Sequence, residues 1–447
     1  MKKISNVVLF LFSLLAFFNA EAQTLKGKFK VANQGGKQLN LYRTEGTYKY
    51  LIDSTKIKTD GTFSFTNKKR PLGYYKLSLN NENNIIEVIL NPKETKVDIS
   101  FSQPYLERGV QVIQSKENKA YWDYKRKDIE VKRRRKALQK QRGQSKAQGN
   151  TLKVNEITNQ LEKIEKELFD HTQAIIDNNP GTFFSTAKLA GKTTNDTEKA
   201  SYFDDLDFSN ESFVRSEVFN SRFSHYIVKH SGHTEVGYYN AVDEIMNRAK
   251  VNEKVFEFAL YNLLDGFYGS GLEDVATYIM EEYFYGEACG EIEINELLKQ
   301  KAQLIKNLQK GNVPPDFTIQ SNFGEQINLK RTCSYNRYTV VMFWASHCGH
   351  CMQELPKFVK TYNQYKPKGL EIIGVALDVN PNKWKKTIQD KGFSWKNVSQ
   401  FKNYKSPVCQ DYKINKTPTF FVLDNQMKIV DKPKDTKELT EFLRRNL

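Results

Sequence analysis

The stretch VVMFWASHCGHCMQELP, residues 340–356, joins an apolar run to two cysteines that are separated by two residues. The run up to Trp344 predicts a buried strand, and the pattern after Cys348 predicts a helix. A C-x-x-C at such a junction puts its first sulfur over the helix N-terminus, where unpaired amides and the helix dipole favour an anion. We therefore expect Cys348 to be an acidic, exposed thiol. Cys351, one turn into the helix, should be shielded and able to resolve a mixed disulfide.

Two histidines flank the first cysteine. His350 can carry positive charge and stabilise the Cys348 thiolate, which would make the pair more oxidising, and His347 could add to this effect. An inert structural disulfide is one alternative, and a metal site built from these two histidines and both cysteines is another. Four near neighbours in a tight turn cannot easily all face one ion at about 2.0–2.3 Å. We therefore expect no metal and no other cofactor.

The C-terminal part of the chain, from residue 312 onward, alternates between strand and helix patterns. Its pieces are the strand TVVMFWA, a helix to about Tyr365, the strand LEIIGVALD, a helix around residues 383–390, the strands TFFVLD and MKIVDK, and a terminal helix after Thr436. This order predicts an α/β fold with a mixed sheet covered on both faces.

Residues 312–447 resemble the thioredoxin superfamily, specifically the exported thiol-disulfide oxidoreductases of the TlpA and ResA type. The resemblance rests on NVPPDFTI followed by INL, on VVMFWASHCGHCMQELP, on IIGVALD and on KTPTFFVLD. It implies that Pro418 is a cis-proline packed against the sulfurs and that Thr417 offers its backbone to a substrate strand. It also implies that Glu354 lies beneath the cysteines and moves protons, and that Trp344 shelters the site. An ordinary turn proline and a simple surface glutamate are the alternatives for the first and third of these residues.

Two departures from the family pattern bear on the chemistry. Met342 stands where cytoplasmic thioredoxins have a buried aspartate, so proton transfer would depend on Glu354. The dipeptide between the cysteines is Gly-His, similar to protein disulfide isomerases, which leaves the direction of electron flow open. The family resemblance implies protein thiol or disulfide substrates and an envelope protein that resets the pair. A peroxiredoxin is a weaker enzymatic rival because Ala345 occupies the place of its usual Thr or Ser.

A β-rich domain is predicted at residues 23–104. Pieces such as LKGKFKV, GTFSFT and NIIEVIL have a period near two and are separated by turn signals. They predict six or seven short strands in a small antiparallel sandwich or barrel.

An all-α middle domain is predicted at residues 105–311. A seam in steps of three and four residues predicts a coiled-coil-like helix face, formed by Val154, Ile157, Leu161, Ile164 and Leu168. The preceding basic helix, interrupted between Arg142 and Asn150, should fold back on it as a helical hairpin. Both N-terminal domains favour protein contacts, so a homodimer or a substrate-gripping role is a hypothesis.

Residues 1–22 predict a signal peptide. They contain two lysines, an apolar run from Val7 to Phe18, and Ala20-Glu21-Ala22 before the expected cleavage. We expect export to the periplasm or cell envelope, with an uncleaved anchor as the alternative. In such an oxidising setting a C-x-x-C pair can be a structural or a working disulfide.

The net charge of +16 is concentrated between Lys125 and Arg142, with few aromatic residues to stack on bases. We interpret this run as a solvated basic helix face and expect no nucleic acid. Attraction to an anionic envelope surface or an acidic partner is the alternative. His225, His230 and His233 lack further ligands at metal-binding spacing, so we interpret them as structural.

Three of the five cysteines lie outside the motif. Cys333 and Cys409 either pair with each other or are small buried hydrophobes. Cys289 is the natural candidate for a free thiol. Two function classes compete: an envelope thiol-disulfide oxidoreductase, and a non-catalytic envelope interaction protein in which the thioredoxin-like domain is only structural.

Overall fold

The structure is a computed structural model that describes residues 23–46, 48–65, 68–80, 84–193, 198–286, 294 and 296–447. The predicted signal peptide and Cys289 lie outside these residues. The chain divides into two compact units. The N-terminal unit comprises the described residues up to His233 together with Glu244–Ala259, and the C-terminal unit comprises Thr234–Asp243 together with Leu260–Leu447. The domain boundaries at 104 and 311 stay predictions.

Strands occur in the first and last parts of the described chain. They are β1 (Thr24–Phe29), β2 (Gln38–Glu45), β3 (Tyr48–Lys56), β4 (Thr62–Ser64), β5 (Gly73–Leu79), β6 (Ile85–Leu90), β7 (Lys96–Phe101), β8 (Val110–Gln114), β9 (Thr318–Gln320), β10 (Gln326–Asn328), β11 (Tyr338–Trp344), β12 (Leu370–Ala376), β13 (Lys396–Ser399), β14 (Thr419–Asp424) and β15 (Ile429–Asp431).

Helices dominate the middle of the chain and alternate with strands near its end. They are α1 (Leu106–Gly109), α2 (Lys116–Ala147), α3 (Thr151–Asn178), α4 (Phe183–Ala190), α5 (Val218–His230), α6 (Glu235–Ala249), α7 (Glu253–Ser270), α8 (Glu273–Tyr283), α9 (Glu296–Asn307), α10 (Leu329–Ser334), α11 (Gly349–Tyr365), α12 (Pro381–Lys391), α13 (Pro407–Asp411) and α14 (Thr436–Asn446). In the described parts of the chain, no helix has both the length and the apolar content needed to cross a bilayer.

The N-terminal strands form two four-stranded sheets, in the orders β4-β1-β7-β8 and β3-β2-β5-β6. Alternate residues point to one buried face, as a period of two requires; for example, buried Leu41 pairs with buried Leu77. Across the described strands no ladder joins the two sheets, so they do not close into a barrel. The packing of a sandwich stays a prediction.

One feature of these sheets corrects the expectation of purely antiparallel strands. β1 pairs with β7 in parallel, from Thr24 opposite Lys96 to Phe29 opposite Phe101. A parallel pair needs a long crossover connection, and the five strands between β1 and β7 supply it. β8 continues this sheet beyond residue 104 by pairing with β7.

Helices α2 and α3 form a hairpin around the short turn 148–150. α2 continues through Gly143 to Ala147, so the interruption begins later than predicted. Ile157 and Ile164 of the predicted seam are buried. Carboxylates of α3 pair with the basic helix: Arg134 lies 2.7 Å from Glu167, and Arg135 lies 2.5 Å from Glu165. Part of the positive charge of α2 is therefore balanced within the hairpin.

A five-stranded mixed sheet in the order β13-β12-β11-β14-β15 forms the centre of the thioredoxin-like domain. β11 runs parallel to β12 and antiparallel to β14. Val340, Met342 and Trp344 share a core with α11, whereas Phe343 on the opposite face packs against Tyr412, with ring centroids 5.3 Å apart. The predicted strands and helices are present in the predicted order, and the structure adds the edge strand β13 and the short helix α13, which were not predicted.

Candidate active site

The two motif cysteines lie where the central strand of this sheet ends. β11 ends at Trp344, and the amide of Cys348 donates to the carbonyl of Ala345 at 3.1 Å, which closes a turn before α11. β14 starts just after Pro418, and Thr419 stands opposite Phe343 in the ladder. The sheet register therefore brings the Thr417–Pro418 segment beside the cysteine turn.

Cys348 caps helix α11 with its sulfur. The Sγ atom accepts a hydrogen bond from the Cys351 amide at 3.2 Å, and the thiol donates a hydrogen bond to the carbonyl of Thr417 at 3.4 Å. Burial by itself raises the pKa of the Cys348 thiol, but hydrogen bonds from the side chains of Cys351 and Thr417 and from the amides of Cys351 and His350 outweigh it. The pKa therefore lies below its ordinary value, as a helix N-terminus favours the thiolate.

Cys351 has the opposite environment. It is fully buried, and burial together with the neighbouring Cys348 raises the pKa of its thiol. Both sulfurs are free thiols in this structure. One sulfur is therefore half-buried and acidic, and the other is enclosed and held protonated.

Among the remaining predicted site residues, Pro418 and Trp344 are buried, whereas the two histidines are exposed. The Thr417–Pro418 peptide bond is cis and Pro418 is buried, while Trp344 is fully buried and packs edge-on against Phe393, with ring centroids 5.1 Å apart. Histidines 347 and 350 are both exposed.

Glu354 is half-exposed and makes other contacts. Its carboxylate accepts from Lys357 Nζ and from Thr436 Oγ1, both at 3.2 Å. The hydrogen bond from Lys357, followed by the weaker effects of Thr436 and His350, holds the pKa of the Glu354 carboxyl below its ordinary value. The carboxylate is therefore ionised near neutral pH, and Lys357 and Thr436 donate hydrogen bonds to it.

A buried carboxylate that sequence reasoning missed supports the turn. Asp378 is 2% exposed, and it accepts the Ser346 amide at 3.0 Å and the Ser346 hydroxyl. Trp344 stands opposite Ala376 in the parallel ladder, so Ser346 and Asp378 each lie two residues past the ends of neighbouring strands. The available signal was a polar residue directly after LEIIGVAL, because side chains that follow adjacent parallel strands meet at one sheet edge.

Cys333, Cys409 and His225 have structural surroundings. Cys333 and Cys409 are free and buried, which matches the second of the two alternatives, and burial raises the pKa of both thiols. His225 Nδ1 lies 2.8 Å from the hydroxyl of Tyr202. Across the residues that the structure describes, no three His, Cys, Asp or Glu side chains are arranged to hold a metal ion.

The fold and the paired thiols define a thioredoxin-like thiol-disulfide oxidoreductase. A family model described as the AhpC/TSA family matches residues 311–432. The chain is 32% identical over 146 residues to a "Thiol-disulfide oxidoreductase ResA" of Bacillus cereus, covering 30% of this chain and 77% of that protein. It thus belongs, through its C-terminal domain, to the ResA-like thiol-disulfide oxidoreductases.

Further similarities concern both ends of the chain. It is 30% identical over 151 residues to a second ResA, of Bacillus thuringiensis subsp. konkukian, covering 31% of this chain and 80% of that protein. A solved "C-terminal domain of putative thiol-disulfide oxidoreductase from Bacteroides thetaiotaomicron" has 25% identity and a TM-score of 0.30, covering 31% of this chain and 97% of that one. Residues 23–121 match a family described as "Domain of unknown function (DUF4369)".

Proposed function

We propose that this protein exchanges disulfides with protein substrates through Cys348 and Cys351. In the reducing direction the Cys348 thiolate attacks one sulfur of a substrate disulfide, the substrate S–S bond breaks, and the departing thiolate takes a proton from water. Cys351 then loses its proton, and its thiolate attacks the Cys348 sulfur and releases the second substrate sulfur. Two electrons pass to the substrate, and a Cys348–Cys351 disulfide remains.

The unequal environment of the two sulfurs carries this proposal. The attacking thiol must be ionised and accessible, and Cys348 is half-buried with a lowered pKa. The resolving thiol must stay protonated until the mixed disulfide forms, and Cys351 is enclosed with a raised pKa. An inert structural disulfide has no need of this difference.

The other site residues have proposed supporting roles. Thr417 offers its backbone to the substrate strand, Pro418 packs against the sulfurs, and Trp344 shelters them. Glu354 accepts the proton that Cys351 releases, and His350 adds positive charge near the thiolate. The buried positions of Pro418 and Trp344 and the contact between Thr417 and Cys348 support this arrangement.

Three variants test the exchange reaction with a fluorescent peptide disulfide as substrate. We expect Cys348→Ser to abolish turnover and Cys351→Ser to accumulate the mixed disulfide, which intact mass spectrometry detects. Cys409→Ala is the matched control because this buried thiol lies outside the motif. Retained turnover in Cys348→Ser would refute the mechanism. A Cys348→Ser, Cys351→Ser double variant that behaves like wild type in cells would favour the non-catalytic interaction protein.

The direction of electron flow depends on the reduction potential of the pair relative to that of its partners. Equilibration in glutathione buffers with thiol trapping measures it. A value of about −270 mV indicates a reductase of the thioredoxin kind, and a value of about −180 mV indicates an oxidase or isomerase. If His350 stabilises the thiolate, His350→Gln lowers the potential; an unchanged potential removes that role.

The proposal also includes export to the cell envelope, a homodimer formed through the N-terminal domains, and an envelope protein that resets the cysteine pair. Cleavage after Ala22 would leave Gln23, whose buried side-chain amide donates to the carbonyls of Asn91 at 2.8 Å and Glu94 at 2.9 Å. Residue 23 is thus already part of the fold. Mass spectrometry of the N-terminal peptide in the envelope fraction tests the cleavage. Sedimentation of the purified chain tests the proposed homodimer.

A further inference from the structure

A pocket of about 420 Å³ lies in the N-terminal unit, outside the redox site. Its walls come from the end of β2, from β5 and β6, from one face of α2, and from α4 and the start of α5. The volume lies within the range of small-molecule sites in proteins, about 300–1,000 Å³. The exchange chemistry of Cys348 and Cys351 makes no use of this pocket.

Tyrosine rings form one wall of the pocket. Tyr74 and Tyr121 meet edge-on with ring centroids 5.5 Å apart, and Tyr124 packs on Phe184 at the same distance. The hydroxyl of Tyr121 donates to Glu87 at 2.7 Å. Within the described parts of the chain, the hydroxyls of Tyr74 and Tyr124 have no hydrogen-bond partner. The pocket therefore offers apolar ring surface together with two unused donors.

Lys188 of α4 brings positive charge to the same pocket. Its ammonium nitrogen lies 3.7 Å from the centre of the Tyr124 ring. No carboxylate of a described residue lies within 4.0 Å of it, because the nearby Asp128 pairs with Lys132 at 2.8 Å and with Lys125 at 3.7 Å. A desolvated ammonium without a counter-ion is costly, so a bound anion would stabilise it.

Four lysines and three carboxylates line the pocket, which leaves one positive charge. A net lining charge of +1 suits a monoanion better than a phosphate dianion. We propose that this pocket binds an organic carboxylate with an aromatic or aliphatic body, with Lys188 as its counter-ion and the tyrosine rings against its body. This inference goes beyond disulfide exchange and does not depend on it.

The charge state of Lys188 makes the binding pH-dependent. Burial lowers the pKa of Lys188 to about 8, and the charged groups that act on it are Asp128, Lys125, Lys132 and Glu217; Lys76 and Glu87 complete the charged lining. The carboxylate binds the ammonium form, so affinity is highest below this pKa. It falls as pH rises above about 8, and a bound carboxylate in turn raises the pKa of Lys188.

Calorimetry on the purified full chain tests the proposal with N-acetylphenylalanine and its neutral amide as probes. We expect the carboxylate to bind and the amide to bind about tenfold more weakly, since hydrogen bonds to charged groups are the stronger ones. Lys188→Met should lose the preference for the carboxylate, while Lys188→Arg should keep it. Lys192→Met is the matched control, because Lys192 is an exposed lysine four residues further along the chain.

One further probe distinguishes a peptide C-terminus from a small free acid as the source of the carboxylate. Gly-Gly-Gly-Phe with a free C-terminus binds if the pocket takes a peptide end, and it fails to bind if the pocket takes only a small free acid. Either result supports the site. Equal affinity for N-acetylphenylalanine and its amide, no binding of either, or undiminished preference in a folded Lys188→Met variant would overturn it.

Discussion

Cys348 and Cys351 lie three residues apart, yet the pKa shifts of their thiols have opposite signs. The first sulfur caps α11 by accepting a hydrogen bond from the Cys351 amide. The second sulfur lies inside the core with Trp344 and Leu355. Desolvation favours the neutral thiol, and amide donors favour the thiolate. The helix N-terminus therefore decides which of the two sulfurs attacks.

This difference predicts selective alkylation of the reduced protein. Iodoacetamide should modify Cys348 first, because only the thiolate reacts and the described cysteines outside it are buried. The lowered pKa shifts the rise in rate with pH to below the ordinary thiol value of about 8.5. Peptide mass spectrometry at a series of pH values measures the rate at each cysteine. Equal rates at Cys348 and Cys351, or a midpoint above the ordinary value, would contradict the assignment.

Asp378 is predicted to hold the cysteine turn in place through Ser346. Asp378→Asn weakens both hydrogen bonds to Ser346 and should destabilise the C-terminal unit by about 1–3 kcal/mol, a typical cost for a disrupted buried polar pair. The loosened turn should also move the Cys348 pKa back towards its ordinary value. Ser346→Ala keeps the hydrogen bond from the backbone amide of residue 346 to Asp378, so it should shift the pH dependence of Cys348 alkylation less than Asp378→Asn does. Asp390→Asn, at an exposed position of α12, is the control. An unchanged profile in Asp378→Asn would remove the positioning role.

At the scale of elements, helix α7 holds the loop that carries the cis-proline. Asp265 lies 2.7 Å from Lys413 Nζ, and the carbonyl of Gly269 accepts from Asn415 Nδ2 at 3.0 Å. Both loop residues precede Pro418 by no more than five positions. Part of the helical region thus contributes to the geometry of the site, although the AhpC/TSA match begins only at residue 311.

Disturbing this contact should weaken substrate binding more than the chemical step. An Ala Cβ at Gly269 would lie 3.3 Å from Asn415 Nδ2, whereas a Cβ at Gly266, three residues earlier in α7, meets nothing within 4 Å. Asp265→Asn removes a partly exposed ion pair, so its effect on KM should be about 1 kcal/mol, or roughly fivefold. Steady-state kinetics with a peptide disulfide should show raised KM and little change in kcat for Asp265→Asn and Gly269→Ala. Equal KM values for Gly269→Ala and Gly266→Ala would refute the proposed role of α7 in holding the loop before Pro418.

The parts of the fold that could be predicted from sequence are those with short-range signals. The C-x-x-C motif, the apolar strand before it and the helix after it are contiguous, so periodicity and motif suffice for Cys348 and Cys351. Asp378 meets Ser346 only through the register of β11 and β12, and Lys188 meets Tyr124 only through the packing of α4 on α2. The parallel pairing of β1 with β7 likewise depends on strands far apart in the chain. Local patterns carry no information about such pairings.

At the scale of the whole molecule, the four tryptophans report separately on the two compact units. Trp122 belongs to the N-terminal unit, whereas Trp344, Trp384 and Trp395 belong to the C-terminal unit, and all four are buried. Incorporation of 5-fluorotryptophan therefore gives one fluorine signal for the first unit and three for the second. Each unit has its own set of internal contacts, so we expect two unfolding transitions in urea.

Two glycine substitutions should move these transitions one at a time. An Ala Cβ at Gly374 of β12 would lie 2.7 Å from Trp395 Nε1 and 3.1 Å from Trp344 Nε1, and overpacking of this kind costs about 1–3 kcal/mol. Gly374→Ala should therefore lower the urea midpoint of the three C-terminal signals and leave that of Trp122 unchanged. A Cβ at Gly143 in α2 meets nothing within 4 Å, so Gly143→Ala should stabilise the helix by about 0.5–1 kcal/mol and raise only the Trp122 midpoint. If all four signals shift together in both variants, the chain unfolds as one cooperative body and the division into two units has no thermodynamic meaning.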